Sequence, residues 1–231
     1  MSSENTLLIT GANRGIGLEY VRQYAEGGWR VIACCRDPES ASVLNQLANK
    51  YSCIEICKLD VADFDQIEML GRKLIDQPIH LLINNAGVYP ESSFRSIDYA
   101  RWMDAFKVNT MSSLKLAEVF IPHLVKAGNA KFVAMTSKMG SIEDNSSGGE
   151  YLYRTSKTAL NMVMKSLSVD LTKYGVAVAA LHPGWVKTDM GGPNGLIDSE
   201  TSVQGLRKVI ALLSLNNSGK FYAYDGKEIP W

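Results

Sequence analysis

Six short apolar runs, separated by stretches of helical periodicity, constrain this chain more than any other feature. The runs are TLLIT (6–10), RVIACC (30–35), IEICKL (54–59), IHLLIN (79–84), KFVAMT (131–136) and VAVAAL (176–181). They are apolar almost throughout rather than alternating apolar with polar. A strand of that kind must be covered on both faces, the situation of parallel strands between two helical layers. Helical patterns lie near 15–27, 39–49, 63–77, 99–126, 155–173 and 200–215, and KFYAY (220–224) adds a seventh strand. The alternation predicts a doubly wound α/β fold, with residues 1–231 forming one domain without repeats or linkers. Ligands of such folds bind beyond the carboxyl ends of the strands, so chemistry is to be sought in the residues just after each strand.

Size and charge narrow the partners. With 231 residues and 46% hydrophobic content the chain can bury a substantial core. Lysine plus arginine equals aspartate plus glutamate at 24 each, which argues against a nucleic acid or an anionic membrane as the main partner. The start MSSENTLLIT has no basic segment of a signal peptide, and no apolar run reaches the roughly 18 residues of a membrane span, so a cytoplasmic protein is expected. Cys34, Cys35, Cys53 and Cys57 fall in or beside predicted strands. The spacing of Cys53 and Cys57 admits a metal or disulfide, but no CxxC or histidine partner accompanies them, and the reading is small core residues in a reducing compartment. His80, His123 and His182 form no ligand spacing either, and no metal site is expected.

The loop after the first strand, TGANRGIG, places Gly11, Gly15 and Gly17 directly ahead of a helix. Glycines let the backbone turn tightly and approach a diphosphate, while the N–H groups of the helix start face the anion. The spacing is neither GxGxxG nor a P-loop, and a plain glycine-rich turn is the competing reading. Arg36 follows the second strand and precedes Asp37. An acidic residue there would bind the adenosine ribose of NAD, whereas arginine suits the 2′-phosphate of NADP, with Arg14 as a second cation. NADP(H) is therefore favoured over NAD(H). Asp37 is read as a cap of the turn at Pro38. Asp60 and Val61 end the third strand, where a carboxylate can meet an adenine amino group or serve only its loop. NNAG (84–87) supplies small residues that let a cofactor lie close, together with amides that tie strand ends together. Pro183 and Gly184 make a turn after the sixth strand, with the Thr188 hydroxyl placed for a nicotinamide carboxamide.

The segment YLYRTSK (151–157) holds two tyrosines. A phenol has an ordinary pKa near 10 and needs help to exchange protons at neutral pH. A lysine four residues along a helix lies on the same face, and Tyr153 has Lys157 there, whereas Tyr151 has Thr155. Tyr153 is thus the candidate acid–base group, its pKa expected to be lowered by Lys157. Tyr151 reads as a pocket wall or as packing.

TGANRGIG (10–17), NNAG (84–87), Ser137 just after the fifth strand, YRTSK (153–157) and HPGWVKT (182–188) stand in the order and spacing of the short-chain dehydrogenases/reductases, and the sequence resembles that family over essentially its whole length. The run TSKMGSIEDNSSGGEYLYRTSK resembles the small C-factor and carbonyl-reductase-like members most. The resemblance implies a Rossmann-type sheet of seven parallel strands in the order 3-2-1-4-5-6-7, with helices on both faces. It implies an NADP(H)-dependent oxidoreductase interconverting a small carbonyl compound and its alcohol. Ser137 would polarise the carbonyl, Tyr153 deliver the proton, and Lys157 hold the nicotinamide ribose. Asn109, in FKVNT, would continue the proton relay through a water on its backbone. The same motifs imply cofactor contacts by Asn13, Ile16, Ala86, Gly87 and Val186, beside those named above. A homodimer or homotetramer built on the helices at 99–126 and 155–173 is implied as well.

Two departures stand out. Ser137 and Tyr153 are 16 apart, longer than in many members, the extra length falling in the polar loop SIEDNSSGGE, which is expected to bulge outward without moving either end. The segment MGGPNGLIDSE after Thr188 is short for a lid and predicts an open or mobile pocket. Val88, Tyr89, Met139, Tyr151, Trp185 and Met190 are pocket candidates, largely apolar. The alternative reading is a cofactor-binding regulatory or signalling protein of the same fold with little turnover. The complete set Asn109, Ser137, Tyr153 and Lys157 favours the enzyme.

Overall fold

In the computed structural model, which describes residues 5–231, each apolar run divides its side chains between two faces. The strands are β1 (Thr6–Thr10), β2 (Arg30–Cys35), β3 (Ile54–Lys58), β4 (Leu81–Asn84), β5 (Lys131–Met135), β6 (Ala177–His182) and β7 (Lys220–Ala223). They form one sheet in the order β3-β2-β1-β4-β5-β6-β7, with every neighbouring pair parallel. Leu8, Ile32, Leu82, Phe132, Val178 and Phe221 project to one side. They meet Ile67 of α3 (Phe64–Lys73), Phe120 of α5 (Ser112–Ala127) and Leu160 of α6 (Tyr151–Asp170). Leu7, Ile9, Val31, Ile83, Val133 and Ala179 project to the other. Their partners are Tyr20 of α1 (Gly15–Glu26), Leu44 of α2 (Ser42–Lys50) and Leu206 of α7 (Ser199–Leu212). Burial of each large apolar side chain contributes about 1.5–3 kcal/mol, and the two-sided cover explains why these strands carry no polar face.

Chain order reverses at β1, which pairs with β2 on one side and β4 on the other. The crevice outside these carboxyl ends is the binding place the topology provides.

The predicted helix over 99–126 is two helices. Between α4 (Tyr99–Phe106) and α5 lies a π-helical turn, Lys107–Met111. The Ser112 hydroxyl competes for the ladder here, donating to the Val108 carbonyl at 2.6 Å, and Thr110 Oγ1 ties the turn to α6 through the Ser156 carbonyl at 2.8 Å. Helix α6 begins at Tyr151, four residues before the predicted 155, so Tyr153 lies within regular helix.

Cys34, Cys35 and Cys57 are buried thiols, while Cys53 is half-buried with its Sγ 4.0 Å from the Ala25 carbonyl. The histidines serve the scaffold. His80 Nδ1 accepts the Thr6 N–H at 3.0 Å, His123 Nε2 lies 3.1 Å from the Gly71 carbonyl, and His182 Nδ1 accepts the Lys138 N–H at 3.2 Å. Burial, and then the Lys138 charge, push His182 down to about 4. Among the described residues no helix is long and apolar enough to cross a membrane, and no cluster of ligating side chains forms a metal site.

Candidate active site

The glycine loop is held in a shape that excludes side chains. Gly11 has φ +64°, and a Cβ there would lie 2.9 Å from Ala86 Cα; a Cβ on Gly17 would collide with the Gly11 carbonyl oxygen. Asn85 braces the turn, its Nδ2 donating to the Thr10 and Gly11 carbonyls at 3.0 Å each. Helix α1 has Arg14 at its N-cap without a side-chain hydrogen bond, whereas α3, α4 and α7 are capped by Asp63, Asp98 and Asp198. The first turn of α1 carries no acidic residue. An uncapped helix start, glycines and a first turn without acidic residues make a cradle for a diphosphate.

Around it the predicted contacts divide. Asn13, Arg14 and Arg36 are exposed at the ends of β1 and β2, joined by the Ala12 N–H to Cys34 carbonyl bond of 3.0 Å. Arg14 Nη1 lies 3.3 Å from Asp189 Oδ2, linking the glycine loop to the segment after β6. Ile16 is half-buried beside the loop. Asp37 receives the Ser40 N–H at 3.4 Å, in keeping with a turn-capping role. Asp60 Oδ1 accepts the Ala62 N–H at 2.9 Å, and Asp60 lines a depression with Ala62, Phe64 and Lys107; Val61 packs in the core beside it. Asn84 differs in role from its neighbours. Its buried amide receives the Thr10 hydroxyl at 3.0 Å and donates to Ser113 Oγ at 2.5 Å, so its side chain ties strands rather than facing the crevice. Gly87 leaves open a space bordered by Asn109 Oδ1 and Lys157 Nζ, which a Cβ there would approach at 3.2 and 3.4 Å.

Beyond β5 and β6 the four chemistry-bearing residues converge. Asn109, in the π-helical turn, clasps the backbone of Val88: its Oδ1 accepts the Val88 N–H at 2.8 Å and its Nδ2 donates to the Val88 carbonyl at 2.9 Å and to Ser156 Oγ at 2.9 Å. Tyr153 is buried, Ser137 exerts a lowering influence on its phenol, and Ser137 Oγ accepts the Met139 N–H at 3.2 Å. Lys157 Nζ donates to the Met135 carbonyl at 2.8 Å and lies 5.8 Å from the Tyr153 ring centre.

The expected lowering of Tyr153 by Lys157 is not what this geometry gives. Burial pushes the phenol up to about 12, against a lowering influence from Ser137 and a further rise from Tyr89. Burial also brings Lys157 down to about 8. Burial governs both groups, and the lysine is turned toward the Met135 carbonyl of β5.

Pocket residues follow. Tyr89 packs its ring 4.4 Å, centre to centre, from that of Tyr153, and its own phenol is raised by burial and by Glu150. Tyr151, Trp185 and Met190 are exposed. The loop after Ser137 does bulge outward, residues 142–148 being exposed. The lid segment is more closely laced than its glycine content predicts. Trp185 Nε1 donates to the Gly191 carbonyl at 2.6 Å, Thr188 Oγ1 accepts the Gly191 N–H at 3.1 Å, and Val186 bridges Ile197. Pro183 receives the Ser202 hydroxyl at 2.6 Å, and Gly184, φ +84°, packs where a Cβ would lie 3.0 Å from the Tyr224 ring. Asn85 ties strand ends as its amide in NNAG suggests, whereas Arg154 and Ser156, both inside YRTSK, brace the site without a signal of their own in the sequence.

The profile of a family described as short chain dehydrogenase matches residues 5–195. The chain is 41% identical over 155 residues to C-signal of Myxococcus xanthus, covering 67% of this chain and 93% of the relative. Among solved structures, carbonyl reductase Sniffer of D. melanogaster superposes with a TM-score of 0.94 at 36% identity, covering 99% of this chain and 100% of the other. The NADPH-bound carbonyl reductase from chicken fatty liver gives 0.92 at 35% identity, with 99% of each chain covered.

Proposed function

We propose that this chain, which belongs to the short-chain dehydrogenase family, is an NADPH-dependent carbonyl reductase with Tyr153 as its proton donor. The observation that carries this reading is the Tyr153 phenol, buried against Ser137 and held up to about 12. At neutral pH it keeps its proton, the form that carbonyl reduction requires and alcohol oxidation does not.

When bound, NADPH supplies a hydride to the carbonyl carbon. The chain's residues provide the rest. Ser137 holds the carbonyl oxygen and Tyr153 transfers its phenolic proton to that oxygen as the carbonyl electrons move onto it, giving the alcohol. Lys157, carrying a positive charge at neutral pH, would hold ribose hydroxyls, and a proton would return to Tyr153 along the Asn109 side. Gly11, Gly15 and Gly17 hold the diphosphate on the start of α1. Arg14 and Arg36, with no acidic residue ahead of Arg36, support selection of the 2′-phosphate. The NADPH in the chicken liver structure supports the same cofactor. Tyr89, Tyr151, Trp185 and Met190 fit a medium-sized apolar carbonyl compound. Buried thiols in the core suit a cytoplasmic setting, and exposed Met103, Met111, Leu114, Met162 and Val169 on α4 to α6 suit a homo-oligomer.

The likeness to C-signal favours a second reading, a cofactor-binding regulator with little turnover. NADPH oxidation with a panel of aldehydes, ketones and quinones, run beside Tyr153→Phe, separates the two. Turnover that disappears in the variant supports the reductase. Tight NADPH binding without turnover on any of the panel moves the reading to the regulator.

A further inference from the structure

We infer that the main-chain oxygen of Trp231 is a positioning group for this site, strapping down the loop that leads out of Ser137. The inference rests on the reductase reading above and adds to it a residue far from the family's motifs.

After β7 the chain turns back on itself. The Ala223 N–H donates to Lys227 at 2.8 Å, Tyr222 bridges Glu228, and the Ile229 N–H donates to Phe221 at 2.7 Å while its side chain enters the core. The Trp231 ring then stacks on Phe221, 5.7 Å between centres at 23°. This anchoring fixes where the Trp231 oxygen points, and three donors meet there. They are the Ile142 N–H at 2.9 Å, the Glu143 N–H at 3.2 Å and the Ser141 hydroxyl at 3.2 Å.

The strapped residues adjoin the chemistry. Ser141 is buried and ends the turn Lys138–Gly140, whose N–H groups at Met139 and Gly140 donate to Ser137 Oγ at 3.2 Å and Ser137 O at 2.7 Å. Gly140 is wedged against Lys157, where a Cβ would lie 2.9 Å from the lysine backbone, and its carbonyl accepts Thr158 Oγ1 at 2.9 Å and Asn161 Nδ2 at 3.1 Å. Arg154 holds the other side of the loop through Met139 O at 3.3 Å and Ser147 Oγ at 2.7 Å. Arg154 and Gly140 are fixed by α6, Asp144 is tied to Ser141 and Lys138, and Ile142 and Glu143, both exposed, donate their N–H groups to the Trp231 oxygen. Release of that anchor loosens Ser141 and the residues after it, which follow directly on the turn that carries the Met139 N–H bonded to Ser137 Oγ. Because Ser137 acts on the carbonyl as charge develops, the loss falls on turnover rather than on cofactor binding.

The test uses Trp231→Ala, Trp231→Phe and Ser141→Ala in the full chain, with a carbonyl compound that the unaltered protein reduces. For Trp231→Ala we expect kcat and kcat/KM to fall together by about tenfold or more, NADPH affinity to stay within about twofold, and amide exchange over 141–148 to speed up by about tenfold. Trp231→Phe, which keeps the ring on Phe221, restores all three. Ser141→Ala, which leaves the tail packing alone, lowers kcat/KM by a few-fold and decides the matter if Trp231→Ala does not fold. Unchanged kcat/KM in Trp231→Ala, or in Ser141→Ala where that variant decides, with normal turnover in the unaltered protein, overturns the strap alone. Absence of turnover in the unaltered protein on the whole panel overturns the reductase reading and the strap with it.

Discussion

Lys157 directs its buried Nζ at the Met135 carbonyl oxygen, 2.8 Å away at the end of β5, and not at the phenol one helical turn behind it. Helical spacing brings Tyr153 and Lys157 to one face, but spacing does not decide what a long side chain reaches. The charge is held by one carbonyl dipole inside the protein, which is why burial dominates its titration.

A pH dependence of stability follows. The Lys157 pKa falls from its ordinary 10.5 to about 8 on folding. Below pH 8 both states carry the proton and the burial penalty is constant. Between 8 and 10.5 the unfolded chain keeps the proton and the folded one has released it, so stability rises with pH across that window. Relative to Lys157→Met, the unliganded protein should gain about 3 kcal/mol over the window. Chemical unfolding of both proteins from pH 7 to 10.5 measures it, and parallel profiles would refute the assignment.

Cofactor preference provides a second test. Arg36→Asp should weaken NADPH binding by about ten- to a hundredfold, the loss of a charge-assisted contact, and shift preference toward NADH. Titration of each nucleotide against both proteins reads this directly. An unchanged preference would place the 2′-phosphate elsewhere.

Much of this site was legible because its residues occupy strand ends that the apolar pattern locates. Gly11, Gly17 and Gly87 stand out by residue type alone, and Tyr153 with Lys157 by helical spacing. The π-helical turn at Asn109 was not legible. One extra residue in a turn leaves the apolar periodicity of 99–126 nearly intact, and its causes, Thr110 on Ser156 and Ser112 on Val108, are visible only once α6 packs beside it. The start of α6 was placed late because Glu150 adopts φ +47°, a conformation unusual for a residue with a side chain. Trp231 could not be assigned a partner from sequence, since Ser141 lies 90 residues away.

Gly17→Ala tests the cradle. The added methyl would collide with the Gly11 carbonyl and lie 2.6 Å from Asn85 Nδ2, both parts of the brace under the diphosphate. Overpacking of this kind costs about 1–3 kcal/mol. The variant should melt several degrees lower and lose NADPH affinity together, by calorimetry and titration. Retained affinity with lowered stability would separate the loop from the cofactor.

Asn109 lies at the junction of scaffold and chemistry, and its removal should affect both. Asn109→Ala leaves the Val88 N–H and carbonyl without the side chain that clasps them at 2.8 and 2.9 Å, and it frees Ser156 Oγ from Nδ2. An orphaned buried group costs about 1–3 kcal/mol and the Val88 groups are only part-buried, so a loss of about 1–3 kcal/mol is expected from the clasp. Val88 adjoins Gly87, which borders Lys157, and its release should displace the wall beside the lysine as well. Asn109→Asp is the sharper variant: it keeps an acceptor for the Val88 N–H but sets a carboxylate against the Val88 carbonyl. Stability and kcat should both fall in the two variants, with NADPH affinity reduced. Unfolding midpoints matching the unaltered protein would show that the clasp does not hold the loop after β4.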